Sequence, residues 1–117
     1  MKKLKKNSAL PVRLVLSDET KRDLKQIQDY IANEKESPQT ALKVIERILD
    51  KIENLLIFPG SGTLLSPKVN FPTNYRYIRA AGYLIFYRHE NNRIFIDRII
   101  HGKRNYIAIL FHASGNT

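Results

Sequence analysis

Apolar residues change their spacing twice along this chain. Over Pro11–Leu16 they alternate, Val12, Leu14 and Leu16 being separated by Arg13 and Val15, which predicts a short strand. Ser17 and Asp18 then offer side-chain oxygens for a helix start, with Glu19 suited to the positive end of the helix dipole. Leu24, Ile27 and Ile31 recur at helical spacing beside Tyr30, predicting an amphipathic helix over residues 18–34. Ser37-Pro38 restarts the pattern as cap and first helical residue. Leu42, Ile45, Leu49, Ile52 and Leu56 form one long stripe, widened by Ile48 and Leu55. The short link Lys35–Ser37 makes the two helices an antiparallel hairpin.

Phe58-Pro59-Gly60-Ser61-Gly62 ends that hairpin, and a loop runs on through Pro67 and Pro72. From Tyr75 the spacing becomes that of strands: Tyr75–Ala80, Gly82–Glu90 and Arg93–His101. Gly82 breaks the first pair, and Asn91-Asn92 tolerates the positive φ of a tight hairpin. Leu84, Ile85, Phe86 and Tyr87 are apolar on both faces, which marks a central strand. Asn105–Phe111 closes the chain as a short helix or strand. The order predicts an α+β domain over residues 11–111: an N-terminal strand, an antiparallel helical hairpin, then a three-stranded antiparallel meander. With the first strand added, the sheet has four strands, helices on one face and a free opposite face.

Composition narrows the partners. The 117 residues are 43% apolar and contain no cysteine, so disulfides and thiolate metal sites are excluded. Apolar runs stop far short of the roughly 20 residues that span a bilayer, and no apolar segment follows the basic start Met1–Lys6. A cytoplasmic protein with no membrane association is the expectation. Residues 1–10 read as a flexible basic arm and 112–117 as a tail. The net charge of +9 is unevenly spread: residues 7–67 carry eight Lys or Arg against nine acids, residues 68–117 eight against two. A field concentrated on one half of a fold attracts a polyanion.

The run "YRYIRAAGYLIFYRHENNRIFIDRIIHGKRNYIAIL", following "FPGSG" and a helical hairpin, resembles the RelE/ParE superfamily of bacterial toxins. Tyr75-Arg76, Gly82-Tyr83, Tyr87-Arg88 and the turn from His101 to Tyr106 carry the likeness, which covers nearly all of residues 11–111. The resemblance implies the toxic half of a type II toxin–antitoxin module, silenced by a small antitoxin with an acidic toxin-binding segment. It also implies one of two activities. RelE-like members cleave mRNA on the ribosome through attack of a ribose 2′-hydroxyl on the next phosphate, whereas ParE-like members inhibit DNA gyrase and cleave nothing.

Self-cleavage of RNA needs a base, cations around the phosphorane and an acid for the leaving oxygen. His101 is the side chain whose ordinary titration range fits both proton roles. Together with Arg104 holding phosphate and Tyr106 stacking or donating, it forms the expected catalytic set. Arg76, Arg79, Arg88 and Lys103 are the expected phosphate binders. No cofactor or metal is expected, since the three histidines lack HxH or HxxxH spacing. Each residue also has a structural explanation: His101 as a strand-end cap, Lys103-Arg104 as a solvated turn, Arg98 as a partner for a carboxylate across the sheet, Tyr83 and Tyr87 as core aromatics. One departure bears on the choice. RNA-cleaving members follow Gly-Tyr with an arginine that meets the scissile phosphate; here Leu84 follows Gly82-Tyr83. The ranking at this stage puts ribosome-dependent mRNA cleavage first, gyrase inhibition close behind, and a non-toxic basic binding domain third.

Overall fold

Two serines start the long helices. Ser17, extended at φ −66° and ψ 161°, accepts a hydrogen bond from the Thr20 amide and opens α1 (Asp18–Glu34). Ser37 accepts from the Thr40 amide and opens α2 (Pro38–Asn54), with its proline where no helical amide partner is required. The computed structural model describes residues 11–112. The expected arm over residues 1–10 lies outside the described residues. Residue 112 closes the last helix, and the remainder of the expected tail is also outside.

Among the described residues five strands form one sheet: β1 (Arg13–Leu16), β2 (Thr63–Leu64), β3 (Arg76–Ala80), β4 (Tyr83–Glu90) and β5 (Arg93–His101), in the order β1-β5-β4-β3-β2. The meander is antiparallel, and β1 joins it at the outer edge, parallel to β5. Both hairpins turn on pairs at positive φ: Ala81 (53°) and Gly82 (88°), then Asn91 (52°) and Asn92 (60°). The four-strand expectation is one strand short. Thr63 and Leu64 pair with Tyr77 and Arg76 inside the stretch expected to be loop, and two residues are too few to show a period.

The hairpin packs on one face of the sheet over a core of Ile27, Ile31, Ile48, Ile52, Ile85, Ile94 and Ile96. The opposite face is not free, contrary to expectation. Leu65 and α3 (Tyr106–His112) cover it, burying Tyr77, Leu84, Phe86 and Ile100 against Tyr106, Ile109 and Leu110. Apolar residues on both faces of β4 require such a cover, because a central strand facing water would not carry Leu84 and Phe86.

The buried face of α2 keeps Ile52 of the expected stripe and both residues expected to widen it, Ile48 and Leu55, but not Leu42, Leu49 or Leu56. Ala41, Ile48, Ile52 and the following Leu55 are buried, while Leu42, Leu49 and Leu56 are 55%, 38% and 39% exposed. The two sets are neighbouring rows on the same helix, and the sheet takes the row one residue earlier. Replacing Ile48, fully buried, by alanine is therefore expected to cost about 2–5 kcal/mol of stability. The same change at Leu49 should cost well under half as much in the same urea titration. Equal losses would mean that α2 faces the other way.

Candidate functional site

At one end of the sheet the two turns stack. The Gly102 amide donates to the Gly82 carbonyl at 3.0 Å, and the Arg104 amide to the His101 carbonyl at 3.0 Å. His101 Nδ1 accepts from the Lys103 amide at 3.1 Å, leaving Nε2 without a hydrogen-bond partner among the described residues. The imidazole meets the Tyr83 ring edge-on at 5.1 Å. Both rings border a cleft of about 910 Å³ between the closed end of the hairpin and the sheet, shared with Arg104, Tyr30 and Lys35. His101 and Arg104 thus come together, with Lys103 exposed in the same turn.

Tyr106, the third expected catalytic residue, lies elsewhere. Its ring packs on Phe86 at 5.6 Å as part of the core under α3, on the face opposite the hairpin. Leu84 is also in that core, 1% exposed. On this face Lys68 and Arg79 stand over the Tyr77 ring at 5.9 and 5.8 Å.

Two of the expected phosphate binders are held inside the fold. Arg88 donates from Nε to Asp97 at 2.7 Å and from its terminal nitrogen to Glu90 at 2.9 Å, and it stacks over Phe95 at 4.6 Å. The Tyr75 hydroxyl donates to the same Asp97 oxygen at 2.7 Å. Burial first, and then the Asp97 hydrogen bond and charge, push the Tyr75 phenol well above its ordinary range. A phenol kept neutral in the folded state supports stability fully at neutral pH, and that support is lost as alkali ionises the unfolded chain. The Asn74 amide and then Arg88 hold the exposed Glu90 carboxyl below its ordinary value. Arg76 donates to the Gly60 carbonyl at 3.3 Å and the Gly62 carbonyl at 2.8 Å, tying the loop after α2 to β3. Arg98 forks onto Asp23 of α1, not onto a carboxylate within the sheet.

A second groove of about 500 Å³ runs between α2 and the end of β3. Arg47 and Lys51, one helical turn apart, line it with Arg79. Sequence reasoning passed over Arg47 and Lys51 because residues 7–67 are nearly neutral as a whole. The signal that finds them is the four-residue spacing of Lys43, Arg47 and Lys51 along the polar side of α2. Among the described residues no group of three or more His, Cys, Asp or Glu is placed to hold a metal ion. No described helix is long and apolar enough to cross a membrane.

Among the described residues, a helical hairpin packed on a mixed five-stranded sheet is consistent with a RelE/ParE-like fold. The model for the ParE toxin of the type II toxin–antitoxin system parDE matches residues 14–106. This chain belongs to that ParE toxin family, and is the toxin component of a type II pair with a cognate antitoxin as partner. A solved structure described as the chromosomal ParDE TA system from P. aeruginosa superposes with a TM-score of 0.63 at 21% identity. The match covers 78% of this chain and 96% of that one, a likeness of fold. A search of curated proteins finds no match.

Proposed function

We propose that this toxin arrests growth by inhibiting DNA gyrase and does not cleave RNA. The family supports the first half, since the likeness is to ParE-type toxins. The observation that carries the second half is the separation of the expected catalytic set. His101 and Arg104 border the cleft under the hairpin, while Tyr106 packs into the core on the far face. Leu84, where an RNA-cleaving member would carry a cation, is closed inside that same core. A phosphorane needs its base, acid and cations within reach of the same reacting atoms, and Tyr106 does not join His101 and Arg104 at the cleft.

The test is a pulse of this protein in growing cells without its antitoxin, with separate counts of methionine and thymidine incorporation. Thymidine incorporation is expected to fall first, and the purified protein should block supercoiling by gyrase. His101→Ala and Arg104→Ala are expected to retain arrest within a few-fold of the parent. An immediate fall in methionine incorporation, abolished by His101→Ala, would restore the ribosome as target.

A further inference from the structure

We propose that the groove between α2 and the end of β3 binds the phosphodiester backbone of duplex DNA. Arg47 and Lys51 line it from α2 and Arg79 from its rim at the end of β3, where the guanidinium also lies 5.8 Å from the Tyr77 ring, and none of them has a carboxylate partner among the described residues. This distinguishes them from Arg88 and Arg98, which are paired within the fold. Placing Arg47 and Lys51 one turn apart sets like charges side by side, a cost to the isolated helix that an anion on the groove removes. Asp50 shares the groove and offsets one of the three charges, leaving it net positive.

The groove does not end at β3. Ala81 borders both it and the larger cleft, so the surface continues over the turn towards Arg104. A DNA strand leaving this groove therefore meets further positive charge along its path. The alternative occupant, an acidic protein segment, is less well matched. Stable protein contacts depend on buried aromatic or aliphatic anchors, whereas this groove is lined by Arg, Lys, Asp and Asn together with Ala80–Gly82. DNA interfaces are polar and positively charged, and phosphate contacts need no apolar anchor. The gyrase reading enters only in naming duplex DNA as the polyanion met in the cell.

The experiment measures binding of the full-length protein to a short labelled duplex of mixed sequence by fluorescence anisotropy across a salt series. The variant Arg47→Ala/Lys51→Ala/Arg79→Ala is compared with Lys21→Ala/Arg22→Ala/Lys25→Ala, which removes the same charge from the exposed side of α1. Each lost phosphate contact lowers the slope of log affinity against log salt by about 0.9, so the groove variant should lose between about two and three units. The α1 variant should lose less than about one. Asp50→Asn is expected to tighten binding several-fold, a gain that misfolding cannot produce. Equal slope losses in the two triple variants would overturn the groove. So would displacement of the duplex by poly-glutamate as readily as by unlabelled DNA, because that assigns the groove to an acidic protein. Supercoiling inhibition measured in parallel separates the two proposals. A wild-type protein that inhibits gyrase without groove-dependent binding ends this one alone. Groove-dependent binding without inhibition ends the gyrase reading alone.

Discussion

Asp23→Ala is expected to lower the free energy of unfolding by about 3 kcal/mol, among the largest effects of any single polar substitution in this chain. The reason lies in the unequal lengths of two paired strands. β1 ends at Leu16, opposite Ile96, whereas its neighbour β5 runs on to His101, leaving Asp97–His101 with no strand on the side away from β4. The first turns of α1 fill that place. The Ser17 amide and the Thr20 hydroxyl donate to the Ile96 carbonyl at 3.0 and 2.8 Å, and the Ser17 hydroxyl to the Asp97 carbonyl at 2.9 Å. Asp23, 6% exposed, accepts the Ile99 amide at 2.9 Å and both arms of Arg98 at 2.9 and 3.0 Å. Alanine strands a buried amide and a half-buried guanidinium together. Asp23→Ala/Arg98→Met should recover part of the loss, since the uncompensated charge is then gone. Urea unfolding followed by circular dichroism decides it; a single-variant loss under about 1 kcal/mol would show that the contact contributes little.

Gly62→Ala is expected to cost about 2–3 kcal/mol, while Gly60→Ala two residues away should be nearly neutral. A Cβ at Gly62 would stand 2.5 Å from the Tyr87 hydroxyl and 2.6 Å from its ring, whereas one at Gly60 meets nothing within 4 Å. Tyr87 cannot yield, because it is fully buried in the middle of β4. Its hydroxyl accepts the Gly62 amide at 2.9 Å and donates to the Pro59 carbonyl at 2.8 Å, clamping the loop after α2 to the central strand. Tyr87→Phe should cost about 1–3 kcal/mol by leaving both loop groups unpaired. Similar melting temperatures for Gly60→Ala and Gly62→Ala would remove the clamp from the account.

Much of this fold was legible because its signals are local. Serine caps, the Asn91-Asn92 turn and the two changes of period each act over a few residues, and all lie where the sequence puts them. What escaped depends on tertiary choice. Leu42, Leu49 and Leu56 keep helical spacing as well as Ala41, Ile48 and Leu55 do, and only the position of the sheet selects between those rows. The expected site suffered for the same reason. Arg88 reads as a free cation beside His89, yet across a register shift in the sheet it reaches Asp97. Tyr106 reads as a stacking platform until α3 turns it onto Phe86. The RelE/ParE likeness survives these errors because it rests on element order and turn residues, not on which cations are free.

The parallel pairing of β1 with β5 also fixes when the molecule can come into being. Of the described strands β1 is made first and its neighbour β5 last, so contacts such as Ser17 with Asp97 close a loop of 80 residues. Loop closure of that length delays folding until the distant partner exists, and chains are made from the N-terminus at about 5–20 residues per second. The hairpin can form early, but it has no edge to cap until Ile96 and Ile99 have been synthesised. A growing chain therefore remains without its finished sheet until β5 has been made.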